Sequence, residues 1–234
     1  MDARAITTSS NDDFIKEISN QKLVLKIALK KDLSSYDGPL LAGSIFKKNF
    51  KNEIISKIKD KVQEKIDSKK KKGFINPKIY IIVIGLPNVG KSSFINFMAN
   101  KQQLITANVP GVTKKKNWLN VNSWIEMLDT PGVLYKKIPN FDSLAILALT
   151  RTIKWDITPK KEIIEWAYNY YHNNHKKELS SFYNFTSNNF EEFLDNFCSV
   201  RKLILKKGEF NHENAVEILY KDFSDAKICK VNYE

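Results

Sequence analysis

Apolar side chains recur along this chain at two different spacings, and the changes from one to the other outline its elements. Residues 23–29 (LVLKIAL) read as a buried strand, followed by a polar, turn-like stretch. Between 46 and 66, Phe50, Ile54, Ile55, Ile58, Val62 and Ile66 fall at helical spacing and predict a helix. The run 79–84 (IYIIVI) is continuously apolar and β-branched, as expected of a strand in a parallel sheet covered on both faces. Gly85 ends it, and a helix is predicted over 91–100. Residues 118–121 and 125–128 read as two strands around a short turn. The span 143–171 looks helical in two pieces broken near Pro159, whereas 175–188, rich in Asn, Ser and Tyr, reads as a linker. Amphipathic helices are predicted over 190–200 and 212–220, and no internal repeat is visible. Strands alternating with helices, then helices alone, predict an α/β domain over 1–155 and a small all-helical domain over 156–234.

A chain of 234 residues, 42% of them hydrophobic, can bury one sizeable core plus a small accessory domain. No apolar run approaches the ~20 residues that cross a bilayer, so a soluble chain without a membrane span is expected. The start, MDARAITTSSNDDF, lacks the apolar stretch of a secretory signal, and Asp2, Asp12 and Asp13 argue against an acid-poor transit peptide. Cys198 and Cys229 suit a reducing compartment and provide neither a disulfide framework nor a zinc site. The net charge of +12 changes the picture more. Residues 1–150 carry 25 Lys and Arg against 13 Asp and Glu, whereas residues 151–234 carry 13 of each. That excess is more than one nucleotide needs and suggests a polyanionic partner such as RNA, with a plain lysine bias of the sequence as the competing reading. Lys69, Lys70, Lys71 and Lys72, followed by Gly73, form a solvated connection or an RNA-facing patch.

Chemistry is concentrated where the predicted strand 79–84 meets the next helix. Gly85-Leu86-Pro87-Asn88-Val89-Gly90-Lys91-Ser92 fits the P-loop pattern, with Ser93 directly after it. Glycines let such a loop wrap so that successive N–H groups face phosphate oxygens, and the helix N-terminus adds its positive end. Lys91 would bridge the β- and γ-phosphates, and the Ser92 hydroxyl would lie on Mg²⁺. Asp129-Thr130-Pro131-Gly132 follows Lys91 by 38 residues and ends a predicted strand. Asp129 can hold the metal through water, and the Gly132 N–H can contact a γ-phosphate. Between the two lies Pro110-Gly111-Val112-Thr113, where Thr113 could cap the metal once triphosphate is bound. The three loops in this order indicate a GTPase. A guanine-reading N-K-x-D motif does not occur downstream. Its nearest counterpart is upstream, Leu29-Lys30-Lys31-Asp32, with Gly43-Ser44 as a small loop for the base. That order predicts a circularly permuted P-loop GTPase domain.

With those motifs in place the chain resembles the ribosome biogenesis GTPase A family, also called YlqF or RbgA, over nearly its whole length. Asp2-Ala3-Arg4 and Ser9-Ser10-Asn11 resemble the family's early segment, and residues 84–93, 109–118 and 128–134 its P-loop, threonine loop and magnesium loop. Gly208-Glu209, Ala215-Val216, Leu219 and Asp222-Phe223 are similar to its helical C-terminal domain. The resemblance implies GTP and GDP as ligands with Mg²⁺ held by Ser92, Thr113 and Asp129. It also implies late assembly of the large ribosomal subunit, with the helical domain engaging rRNA, by a monomer in the cytoplasm or an organellar matrix. Asn88 matches an asparagine that binds K⁺ in potassium-activated relatives. Val133 and Leu134 stand where many GTPases orient water with glutamine, which implies slow hydrolysis stimulated by the ribosome. Two departures shape further expectations. Leu29 replaces the family's asparagine, leaving Asp32 to read guanine and Lys30 to lie along the ring, with reduced affinity and base preference. The family's N-terminal segment and strand precede the Asp2-Ala3-Arg4 motif, so a gap is expected between the P-loop strand and the base-reading strand. A degenerate, non-hydrolysing rRNA-binding protein and an NTPase of relaxed base choice are the alternatives.

Three groups carry weaker signals. His172 and His175 have ligand-like helical spacing but sit in a polar stretch without further donors. Trp166, Tyr168, Tyr170 and Tyr171 could stack on RNA bases, although packing of a helix explains them more simply. Arg201, Lys202, Lys206 and Lys207 form the best basic cluster of the helical domain, as a solvated face or an RNA contact.

Overall fold

The computed structural model describes residues 1–100, 118–132 and 138–234. Its sheet is formed by β1 (Ile79–Val83), β2 (Trp118–Asn120) and β3 (Ile125–Asp129) in the order β1-β3-β2. β1 runs parallel to β3, with Val83 opposite Asp129, so the phosphate loop and the aspartate loop leave the sheet at the same end. β2 is antiparallel to β3. Helices α1 (Asp12–Ser19), α2 (Lys48–Lys71) and α3 (Lys91–Ala99) belong to this half. The second half stacks α4 (Phe141–Leu149), α5 (Lys160–Asn174), α6 (Lys176–Tyr183), α7 (Phe190–Arg201) and α8 (His212–Ser224).

Asparagine begins many of these helices because its amide oxygen accepts an otherwise unsatisfied first-turn N–H. Asn11, Asn140, Asn189 and Asn211 cap α1, α4, α7 and α8 by accepting from Phe14, Ser143, Glu192 and Asn214. Two apolar cores result. One gathers Phe50, Ile54 and Ile58 of α2 with Phe94, Ile95 and Met98 of α3 under Ile125 and Met127 of β3. The other lies among α4 to α8 and takes in Leu86 and Val89 of the phosphate loop. The loop is thereby anchored in the helical half while its backbone belongs to the sheet half.

Several expectations need correction. Of the predicted strand 23–29, Ala28 and Leu29 alone are bridged among the described residues, to Ala42 and Asp2. A strand persists only as far as neighbours take up its backbone groups, and here those neighbours are single extended residues. β1 is not covered on both faces: Tyr80 and Ile82 are 59% and 54% exposed, and Ile84 beyond it is 41% exposed. Among the described residues β3 is the strand paired with β1. Met1 to Ala3 pair with the base-reading segment, since Leu29 N–H donates to Met1 O and Ala3 N–H to Leu29 O, but among the described residues no strand pairs with the other edge of β1. The predicted linker 175–188 contains α6, which buries Leu179 and Tyr183. Their apolar side chains at four-residue spacing were submerged in a polar composition. Helix α2 runs further than 66, through Lys71.

Candidate nucleotide-binding site

The loop between β1 and α3 is built around two left-handed residues, Asn88 (φ 57°) and Gly90 (φ 99°), the second of which caps α3. Successive residues of opposite hand turn backbone N–H groups toward one concave side, which suits phosphate. Pro87 and Val89 are buried beneath this turn, and Ser92 and Ser93 occupy the first turn of α3. Lys91 is buried, and its Nζ donates to Leu86 O at 2.9 Å. Burial pushes its ammonium pKa down, and the Asp129 carboxylate opposes that shift.

The aspartate loop closes against the phosphate loop. Ser92 Oγ donates to Asp129 Oδ2 at 2.5 Å, and Asp129 is buried. Thr130 Oγ1 donates to Val83 O at 2.7 Å, tying the loop to β1. A Cβ added to Gly132 would lie 2.6 Å from Pro87 N, so this approach of two backbones admits glycine alone. A hydroxyl and a carboxylate oxygen held together beside a cation-bearing phosphate loop are the hard donors that Mg²⁺ takes, and the residues present fit that ion. Thr113, and Val133 and Leu134, lie outside the described residues.

The base-reading segment meets the loop from the other side, in a manner its sequence does not predict. Leu29 is buried in the sheet-side core, and its Cδ1 is the nearest atom to the Cβ position of Gly90 at 3.3 Å. It is an apolar wedge under the phosphate loop. Lys30, itself left-handed, donates from Nζ to Asn88 O at 2.7 Å and pairs with Asp2 at 3.0 Å. Asp32 is half-buried in a short 3₁₀ turn, Lys31–Leu33, and its carboxylate has no hydrogen-bond or ion-pair partner among the described residues. The Gly43-Ser44 loop lies beside that turn: Lys31 N–H donates to Gly43 O at 3.3 Å, and buried Ser44 accepts from Phe46 N–H through Oγ. A Cβ on Gly43 would strike the Phe50 ring.

Two residues without an assigned role from sequence hold this arrangement. Asp2, fully buried, accepts from Arg4 Nε at 2.9 Å and Nη2 at 2.8 Å. Burial alone would raise its carboxyl pKa, but Lys30 and Arg4 hold it well below the usual carboxylate range. An acid two positions before an arginine was the signal, and its meaning depends on Lys30 arriving beside it. Arg151, left-handed after α4, accepts from Asn88 Nδ2 through its carbonyl at 2.8 Å, while its guanidinium pairs with Asp225 at 2.8 Å. Asn88 Oδ1 accepts no hydrogen bond among the described residues. Of the weaker signals, the aromatic and histidine groups resolve toward packing, while Arg201, Lys202, Lys206 and Lys207 are exposed. Tyr168 and Tyr171 are buried in the helical core, and His172 Nδ1 lies 3.2 Å from Tyr168 Oη.

Comparisons with known proteins agree with this geometry. The family described as 50S ribosome-binding GTPase matches residues 80–180. A probable ribosome biogenesis GTPase A from Mycoplasma genitalium is 36% identical over 239 residues, spanning all of this chain and 86% of the relative. Ribosome biogenesis GTPase A of Bacillus pumilus is 31% identical over 185 residues, covering 78% of this chain and 66% of the relative. Among solved structures, GDP-bound YlqF superposes with a TM-score of 0.66 at 20% identity, covering the whole chain and 91% of that protein. From its nucleotide loops to its helical C-terminal half, this chain belongs to the ribosome biogenesis GTPase A family.

Proposed function

We propose that this chain binds GTP and GDP, hydrolyses GTP slowly, and uses the cycle in late assembly of the large ribosomal subunit. The observation that carries the reading is the contact of Ser92 with Asp129 beside buried Lys91, where the phosphate and aspartate loops meet. Residues 85–93 wrap the phosphates, with Lys91 on the β- and γ-phosphates. Ser92, Thr113 and Asp129 hold Mg²⁺, which neutralises charge on the phosphate oxygens when bound. Asp32 accepts from guanine N1–H and its amino group, Lys30 flanks the ring, and Ser44 lies under the base. In hydrolysis, water attacks the γ-phosphorus as its bond to the bridging oxygen breaks, giving GDP and inorganic phosphate. Gly132 N–H steadies the γ-phosphate oxygens, and Asn88 Oδ1 is the group for K⁺ beside them. An apolar residue at 133 and 134 cannot orient water, so turnover is slow until the ribosomal partner supplies the missing order. Residues 1–155, the sheet half together with α4, act as the switch, and residues 156–234 as the ribosome-engaging domain, in a cytoplasmic monomer.

Burial of Leu29 against Gly90 favours a second reading of base choice, in which the pocket distinguishes guanine weakly. Binding of GTP, GDP and ATP, with Mg²⁺ and with K⁺ or Na⁺, separates the two. Selective guanine binding supports the first, and equal GTP and ATP binding the second. Leu29→Asn separates two roles for that position: a gain in GTP affinity of about tenfold means that a hydrogen bond to the base was missing, whereas loss of stability without that gain means that Leu29 serves the core beneath Gly90. Turnover is then measured with and without large subunits. Equal rates would sink ribosomal stimulation, and zero turnover in both would leave a non-hydrolysing binder.

A further inference from the structure

Half of the net charge of the chain sits on one helix. Residues 48–72, α2 and its C-cap, carry ten lysines against four acids, a net +6 out of +12. The buried residues of α2 are Phe50, Ile54 and Ile58, all in its first half, and the second half has none. The two signs of charge are also largely sorted, with Lys71 falling among the acids at four residues from Asp67. Glu53, Asp60, Glu64 and Asp67 follow each other at seven, four and three residues and share one face. Lys57, Lys61, Lys65 and Lys69 follow at four-residue steps along another, and Lys72 continues the line. Lys57, Lys61, Lys65 and Lys72 are all exposed. None of the α2 lysines takes part in an ion pair among the described residues.

A solvated helix gains most when acid and base alternate at four-residue spacing, and like charges in that relation destabilise it. Three successive lysine-to-lysine steps, from Lys57 to Lys69, do the opposite. They become favourable when an anionic lattice lies across them. The spacing fits such a lattice, since a four-residue step advances ~6 Å and the line from Lys57 to Lys72 spans ~22 Å. Ammonium groups on flexible stems read phosphates as point charges, without base sequence. Directly past the helix, Gly73 (φ 89°) turns the chain and presents Phe74 and Ile75, 58% and 89% exposed. An exposed aromatic at the end of a phosphate-binding line can stack on an unpaired base. A bilayer is a poorer fit, because the exposed residues of the second half are charged apart from Ser68 and leave no apolar stripe to insert. The helix is also tied to the nucleotide site: Phe50 lies against Gly43 of the base loop and shares a core with Phe94 and Ile95 of the phosphate-loop helix.

We infer that the line Lys57, Lys61, Lys65 and Lys72, ending at Phe74, is a docking surface for structured RNA on the switch half of the molecule. This deepens the ribosomal reading above and rests on it. The test replaces those four lysines by glutamine in the full chain, all at exposed positions. A second variant replaces Arg201, Lys202, Lys206 and Lys207 of the helical half. Each is titrated against an RNA hairpin with an unpaired loop over a range of salt, against vesicles containing anionic lipid, and against purified large subunits. With folding and nucleotide binding intact, the α2 variant should lose about tenfold or more in RNA affinity, and its salt slope should fall by about 3 to 4. Phe74→Ala should weaken binding to the looped hairpin more than to a blunt duplex. RNA binding unchanged in the α2 variant, or lost in the helical-half variant alone, overturns the inference, as does binding to vesicles without binding to RNA. Large subunits distinguish the two levels. An unaltered chain that ignores them defeats the ribosomal reading itself, whereas equal binding by wild type and the α2 variant defeats this surface only.

Discussion

Asp2 sits where three demands converge: it must compensate Arg4, anchor Lys30 and remain ionised with no access to water. Removing one partner of a buried charge group leaves the others uncompensated, which typically costs ~3–5 kcal/mol. Asp2→Asn is therefore expected to lower stability by about that amount and to weaken nucleotide binding, since Lys30 loses the anchor that holds it on Asn88. Chemical denaturation and a nucleotide titration check the two effects. The sign of the pH dependence follows from the depressed carboxyl pKa of Asp2 in the fold. Its contribution is complete above the unfolded pKa of about 3.9 and declines as acid takes the pH below it, because the unfolded chain binds the proton first. Wild type should lose stability between about pH 4 and 2 more steeply than Asp2→Asn. Gly132 carries a different constraint. In Gly132→Ala the new methyl group meets Pro87 backbone atoms that cannot swing aside, and overpacking of this kind costs ~1–3 kcal/mol. The two loops should part, so GTP affinity falls more than GDP affinity in side-by-side titrations.

At the scale of elements, the asparagine content of the chain has a structural use. Asn189 accepts from Glu192 N–H at 2.9 Å, and Glu192 returns the contact to Asn188 N–H at 2.8 Å, so the start of α7 is closed from both sides. Asn189→Ala should cost ~1 kcal/mol, the usual worth of such a cap, visible as a lowered melting temperature with nucleotide binding unchanged. Helix α4 behaves differently. Ala145, Ile146, Leu147, Ala148 and Leu149 are all buried, so beyond its exposed first turn it has no solvent-facing stripe and its position follows from α5 and α8 around it. It leads from the aspartate-loop side of the site to Arg151, whose carbonyl receives Asn88. An element held on all sides can report a change in the phosphate loop to the helices only by moving with them.

Over the whole molecule, the two halves are sewn together at both chain ends. Tyr233 N–H donates to Arg4 O, Val231 pairs with Ser34, and the Glu234 side chain accepts from Thr7 and Thr8 N–H. Arg4 Nη1 donates to Ser224 O at the end of α8. Leu86 and Val89 add an apolar connection from the phosphate loop into the helical core. The halves should consequently unfold in one transition. Leu86→Ala is expected to destabilise it by ~2–5 kcal/mol and to reduce nucleotide affinity at the same time. Calorimetry showing two separate transitions, with only one displaced by the substitution, would contradict this coupling.

Residues 85–92, 129–132 and 29–32 stand out in the sequence as motif loops, because each motif records local requirements, and the structure brings the first two together through Ser92 and Asp129. Their rotated order was equally legible, and so were α2, α3, α7 and α8, whose apolar spacing depends on nothing beyond the helix itself. Tertiary structure decided what depends on neighbours. The segment 23–29 has the composition of a strand, yet most of it has no ladder partner among the described residues. Leu29 looked like a damaged base contact and is a core residue beneath Gly90. Asp2 and Arg151 acquire their roles from residues 28 and 63 positions away, and no local pattern contains such distances. Spacing along the chain specifies which groups one turn or one helix face can present; which of them are buried together is set by packing between segments remote in sequence.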